Sequence, residues 1–167
     1  MGEPGGATVS PARDATLPPG PPPVRQAELR IPGRLDQLGE ASEWLARFAD
    51  TLALPHEMRY RLDLGLNEAV TNVVSHGYRD AGEHAIRLRL SADGDAVTLE
   101  IEDDGVPFDP LAATPSARPA SLAEAPIGGL GIQLIRAMLD ECRYRREEGR
   151  NRLTLVARPR PGPGQTP

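Results

Sequence analysis

Asn67-Glu68-Ala69-Val70-Thr71-Asn72-Val73-Val74-Ser75-His76-Gly77 is the stretch on which the reading of this chain turns. It lies in a run from Arg59 to Tyr78 whose apolar residues recur at helical spacing. Leu62, Leu66, Ala69, Val70 and Val73 form the stripe that such a helix would bury. Glu68 and Asn72 project to one side of that stripe, one turn apart, and His76 continues their row. A carboxylate placed there can take a proton from a nucleophile, and a carboxamide oxygen can hold a magnesium ion. Gly65 falls on the Glu68 side and predicts open space there. Pro55 starts this helix and Gly77 ends it.

Working outward, Gln26 to Ile31 alternates weakly and reads as a first strand. Arg34 to Leu54 carries Leu35, Leu38, Trp44, Leu45 and Phe48 near helical spacing, with Trp44 and Phe48 expected in the core. Ala85 to Leu90 and Ala96 to Glu102 read as strands joined at Asp93-Gly94, a hairpin signal. Asp103 to Gly128 is dense in Pro, Ala and Ser, too long for an ordinary connection, and reads as a mobile lid. Leu130 to Leu139 is a third helix, entered through Gly128-Gly129-Leu130-Gly131. Cys142 to Glu147 and Arg152 to Ala157 make a closing hairpin that turns around Gly149-Arg150-Asn151. This order predicts an α+β two-layer sandwich, a mixed, mostly antiparallel sheet covered on one face by three helices. Gly- and Pro-rich tails, 1–24 and 159–167, flank a folded domain over 25–158.

Composition excludes several functions. The net charge is −5 with no basic run in the interior, so a nucleic-acid footprint is not expected. The chain has no lysine, and its 19 basic residues are all arginine. A P-loop and a eukaryote-type kinase fold both need a lysine on the phosphates, so both are excluded. Cys142 is the single cysteine, which rules out an internal disulfide and favours a reducing compartment. No stretch approaches the roughly 18 apolar residues of a membrane span, and the N-terminal composition is not that of a signal peptide. The expectation is a cytoplasmic protein.

Two further motifs bear on the chemistry. In Glu102-Asp103-Asp104-Gly105-Val106-Pro107-Phe108, an acidic residue at a strand end can accept a hydrogen bond from an exocyclic amine. Gly105 would let a flat ring approach the backbone. Taken alone, this motif reads better as a solvated acidic turn. Gly128-Gly129-Leu130-Gly131 opens a helix, where backbone amides and the helix dipole favour an anion. Taken alone, it is equally a hinge with tight helix packing.

Together and in this order, Glu-x-x-x-Asn on a helix, Asp-x-Gly after a strand and Gly-x-Gly at a helix start resemble the Bergerat ATP-binding fold. This is the GHKL superfamily of gyrase, heat-shock-90, histidine-kinase and MutL ATPases. Within it, the chain resembles the RsbW-type anti-sigma-factor serine/threonine-protein kinases of bacteria. The likeness extends through Gly129-Leu130-Gly131-Ile132, Met138-Leu139-Asp140-Glu141 and Gly149-Arg150-Asn151-Arg152-Leu153-Thr154-Leu155. Pro107, where the wider superfamily has a second glycine, points to the anti-sigma branch.

The resemblance implies ATP and Mg2+ as ligands, with Asn72 coordinating the magnesium. Asp103 would bind the adenine amino group, Gly105 would admit the ring, and Thr154 would complete the adenine pocket. Gly129 and Gly131 would offer amides to the phosphates, and Arg118 in the lid would supply positive charge. Glu68 would be the general base on the attacking hydroxyl. The implied partners are a STAS-domain anti-anti-sigma protein as phosphorylation substrate and an RNA polymerase sigma factor to be sequestered. A homodimer is also implied. The alternative is a nucleotide-binding, partner-binding module without transfer.

Among the remaining residues, His76 is expected to cap helix-end carbonyls rather than touch nucleotide. His56 and His84 are not at metal-ligand spacing. Cys142 is expected as a small buried residue at a strand start. Arg143, Arg145 and Arg146 read as a solvated strand face.

Overall fold

The structure is a computed structural model that describes residues 25–79, 82–112 and 129–160. Arg118, the rest of segment 113–128, the first tail and residues 161–167 lie outside the described residues.

The elements follow in the order β1 (Gln26–Pro32), α1 (Leu38–Thr51), α2 (His56–Asn72), β2 (Ala85–Asp93), β3 (Ala96–Asp103), α3 (Gly129–Met138), β4 (Glu141–Glu147) and β5 (Arg150–Ala157). Short 3-10 turns at Leu35–Gln37 and Pro110–Ala112 and a π turn at Val73–Gly77 complete the set among the described residues. The strands make one sheet in the order β1-β2-β3-β5-β4. All four pairings are antiparallel, so none of them carries the mixed character expected.

Period-two alternation decides which side faces the helices. Ile31, Ile86, Leu88, Leu90, Val97, Leu99, Ile101, Leu153, Leu155 and Ala157 are buried and form the floor of the core. Trp44, Leu45 and Phe48 of α1, Met58, Leu62, Leu66, Ala69 and Val70 of α2 and Ile135 of α3 cover it. The opposite face is a ladder of cross-strand charges. Arg87 lies opposite Glu102, Arg89 opposite Glu100, and Glu102 opposite Arg152. Such pairs stabilise the exposed side of a sheet modestly.

Local chemistry sets the boundaries. The first long helix runs not from Arg34 to Leu54 but from Leu38 to Thr51, after a 3-10 turn. Its end is a left-handed cap at Ala53 (φ 49°), closed by Leu54 N–H donating to Ala49 O at 2.9 Å and Ala53 N–H to Asp50 O at 3.1 Å. The β2–β3 loop is Gly94-Asp95, one residue later than the sequence signal, with Gly94 at φ +58°. In the β4–β5 loop Glu148 and Gly149 both take positive φ, and β5 already begins at Arg150. Residues after β5 also bond back to the fold. Arg158 N–H donates to Asp140 Oδ2 at 2.7 Å, and Arg160 Nη2 donates to Met138 O at 2.7 Å.

Candidate functional site

A cleft of about 400 Å3, its open mouth included, lies between α2, the ends of β3, β5 and β4 and the segment after β3. Ala69, Val73, Ile101 and Leu153 give it apolar walls, and Phe108 and Pro110 stand at its rim. Asn72, Asp103, Asn151 and Tyr144 are its polar groups. An apolar cavity with a few convergent polar side chains is the usual form of a small-molecule site.

Asn72 sits at the end of α2 and is 5% exposed. Its Nδ2 is buried without a hydrogen-bond partner among the described residues. A buried amide with an empty end costs free energy, which a ligand bound at the cleft would recover. The unpaired atom is an N–H donor, which suits an acceptor oxygen on a ligand; a magnesium ion would be held by the amide oxygen of the same side chain.

Asp103 ends β3 and is 3% exposed. Its Oδ1 accepts from Gly105 N–H at 2.8 Å and from Asn151 Nδ2 at 2.8 Å. Among the described residues nothing donates to Oδ2, which is left to accept from a ligand. Burial pushes this carboxyl above the usual carboxylate range, and the bonds from Asn151 and Gly105 only partly offset that. Gly105 is sterically required: a Cβ there would stand 2.6 Å from Gly77 O and 2.8 Å from Asp103 Oδ1. The same Gly77 carbonyl accepts from Val106 N–H at 2.8 Å, which pins the Asp-x-Gly turn to the end of the α2 segment.

That segment is not a plain α-helix to Gly77. It opens into the π turn Val73–Gly77. The wider turn takes His76 out of the Glu68–Asn72 row. His76 is exposed, and its ring lies 5.9 Å from that of Phe108, tilted by 38°. π turns recur at functional sites, and this one delivers Gly77 to the cleft.

Thr154 does not belong to the cleft. It pairs with Glu100 and Arg143 on the charged face, because β5 alternates and Leu153 and Leu155 take the inward phase. The inward polar residue of β5 is Asn151, 5% exposed and opposite Asp103. Its Nδ2 donates to Asp103 Oδ1 and to Val106 O at 2.9 Å. Its Oδ1 accepts from Tyr144 Oη at 2.8 Å and Arg146 Nη1 at 2.6 Å. Arg146 also donates to Gly105 O at 3.0 Å, so its guanidinium turns toward the site although the residue stays exposed with Arg143 and Arg145. Asn151 was legible in principle, since it shares the phase of Leu153, Leu155 and Ala157.

Glu68 is half-buried on α2, one turn before Asn72. Its carboxylate lies against α3: a Cβ on Gly131 would stand 1.8 Å from Glu68 Oε2. Gly129 begins α3 and Gly131 is buried in its first turn. The space expected beside Gly65 is filled. A Cβ there would meet Leu155 at 3.0 Å and Leu139 at 3.1 Å, so Gly65 allows a close helix approach rather than a void. Glu68, Asn72, Asp103, Gly105 and Gly131 are thus arranged around or beside one cleft, Gly129 starts the helix next to it, and Thr154 is excluded.

Cys142 is half-buried at the second position of β4, and burial pushes its thiol up. His84 stacks on Tyr78 with ring centroids 4.1 Å apart and pairs with Asp104 at 3.1 Å. No helix among the described residues is long and apolar enough to cross a membrane.

Comparison with known proteins bears on the same region. Residues 31–157 match the histidine kinase-like ATPase domain family. The serine/threonine-protein kinase BtrW of Bordetella bronchiseptica is 34% identical over 122 residues, covering 73% of this chain and 86% of that protein. The serine-protein kinase RsbW of Bacillus subtilis is 26% identical over 131 residues, covering 73% and 79% respectively. Among solved structures, the RsbU and RsbW domains of a Mycobacterium tuberculosis protein superpose with a TM-score of 0.60 at 17% identity. That likeness covers 81% of this chain and 32% of the larger one, and it concerns the fold. The chain belongs to the histidine kinase-like ATPase domain family, among relatives of the RsbW and BtrW type.

Proposed function

We propose that the cleft binds Mg-ATP and that the protein transfers the γ-phosphoryl group to a serine of a small STAS-type anti-anti-sigma protein. In its other state it would hold an RNA polymerase sigma factor. The observation that carries the nucleotide reading is the buried Asn72 amide, without a hydrogen-bond partner among the described residues. It shares one apolar cleft with the Asp103 carboxylate, whose hydrogen bonds among the described residues fall on Oδ1. The relatives' names carry the choice of serine as acceptor.

Each residue has a separate role in this reading. Asp103 Oδ2 accepts from an exocyclic amine, while Asn151 and Gly105 N–H hold Oδ1 and so fix the carboxylate plane. Asn72 would hold the magnesium ion, whose chemistry is to neutralise charge on phosphate oxygens. The first turn of α3, with Gly129 and Gly131, offers amides and a positive dipole end to an anion. Glu68 takes the proton of the attacking serine hydroxyl as the oxygen–phosphorus bond forms and the bond to the leaving diphosphate breaks. Lying beside that first turn, Glu68 needs little movement to meet a hydroxyl presented there.

Glu68→Gln separates the steps. The variant should bind Mg-ATP as the parent does and lose phosphoryl transfer by at least about 100-fold. Transfer at the parental rate would remove Glu68 from the mechanism. Nucleotide binding without transfer in the parent, across STAS-type substrates, would favour the module reading.

A further inference from the structure

Arg61 is a buried arginine far from the cleft, and nothing in the reading above uses it. Its side chain is 0% exposed. Nη1 donates to Met138 O at 3.2 Å and to Asp140 Oδ2 at 3.0 Å, Nη2 donates to Arg158 O, and Nε pairs with Glu57 at 3.0 Å. Met138 is the last residue of α3 and Asp140 the link to β4, so Arg61 grips the C-terminal end of α3. A cation belongs at that end, where carbonyls are unsatisfied and the dipole is negative. Asp140 is held in turn by Arg158 N–H, and its own N–H donates to Val156 O at 2.9 Å.

The placement of Arg61 on α2 gives this grip a consequence. Residues 61, 65 and 68 follow one another along one side of α2. Arg61 holds the end of α3, Gly65 admits Leu139 and Leu155 to close contact, and Glu68 lies against Gly131 in the first turn of α3. One side of α2 therefore touches α3 at both ends. A helix of ten residues behaves as a strut, so holding its C-terminal end against α2 constrains where its N-terminal amides stand.

We infer that Arg61, with Asp140, is a positioning residue that sets α3 against α2 and so places the phosphate-facing turn of α3 beside Glu68 and Asn72. Arg61 touches neither substrate nor metal and acts only through α3. The inference rests on the proposed nucleotide site for its functional consequence, but not for its structural one.

The test uses the full chain with Arg61→Met, Arg61→Lys and Asp140→Asn. Calorimetric titration with Mg-ATP is compared with titration with adenosine, which lacks phosphates. Arg61→Met should weaken Mg-ATP about tenfold and leave adenosine within about twofold, with Arg61→Lys and Asp140→Asn between it and the parent. Equal weakening of both ligands would mean that Arg61 serves folding alone, and no weakening of either would mean that α3 is placed without it. Either result overturns the inference. Hydrogen exchange on the nucleotide-free protein reads the structural half separately. Amides of residues 129–138 should exchange faster in Arg61→Met, or in Asp140→Asn if the former does not fold, while those of α1 stay unchanged. Unchanged α3 exchange refutes the inference. Absence of any Mg-ATP binding by the parent refutes the proposed function instead, and leaves the exchange result to decide on Arg61.

Discussion

Asn151→Ala is the most informative single change, because Asn151 joins both hairpins to the Asp-x-Gly turn. The substitution deletes bonds to Asp103, Val106, Tyr144 and Arg146 from a residue only 5% exposed. A net hydrogen bond contributes about 1 kcal/mol and one to a charged group about 1.5–3 kcal/mol. Tyr144 is half-buried and Arg146 exposed, so water replaces part of their loss, whereas Asp103 keeps only Gly105 N–H. The sum is about 3 kcal/mol, or a fall in Tm of about 10 °C for a domain of this size. Denaturant melts of Asn151→Ala, Asp103→Ala and the double variant close a cycle for the Asp103–Asn151 pair. The expected coupling is about 2 kcal/mol. Because the Asn151 bond lowers the Asp103 pKa against burial, the carboxyl should also titrate at higher pH in Asn151→Ala, as read by carboxyl NMR. Coupling below about 0.5 kcal/mol would refute the claim that Asn151 orients Asp103.

Two glycine substitutions should separate structure from chemistry. Gly105→Ala drives a Cβ toward the pinned Gly77 carbonyl and should cost about 2 kcal/mol by thermal melting. In Gly131→Ala the atoms nearest the new Cβ belong to the flexible Glu68 side chain, so the melt should move by less than about 1 kcal/mol while phosphoryl transfer falls because the base is displaced. Glu102 supplies the pH prediction. Burial opposes its charge, but Arg152, Arg87 and Arg150 outweigh that and hold its carboxyl below the usual range. A lowered folded pKa gives stability that is present above the unfolded value of 4.5 and is lost as pH falls through the folded value. The stability gap between the parent and Glu102→Gln, measured by urea melts, should therefore be widest near neutral pH and shrink below about pH 4.5. A gap independent of pH would assign the loss to packing.

Much of this was legible because local rules and tertiary needs agree. Glu68 and Asn72 are one helical turn apart whatever surrounds them, and Gly94 and Gly149 mark hairpins by conformational demand. Asp103 and Gly105 could be placed because the alternating strand pattern runs out at Asp-x-Gly. The failures lie where tertiary contact decides. The π turn at Val73–Gly77 accompanies a tertiary bond between Gly77 O and Val106 N–H, which no helical period announces. The resemblance points to Thr154, although the alternation of β5 puts Asn151 inward and Thr154 outward. Gly65 reads as open space along a lone helix and becomes a close contact once Leu139 and Leu155 arrive. An arginine at position 61 reads as solvated until the end of α3 docks on it.

If Asn72 and Asp103 mark a site for Mg-ATP, calorimetric titration with ATP, with and without magnesium, should read it out. The parent should bind more tightly with magnesium, Asn72→Ala should abolish the magnesium effect, and weak binding of adenosine should survive in Asn72→Ala. Magnesium-independent binding by the parent, or no binding at millimolar ATP, would contradict this assignment.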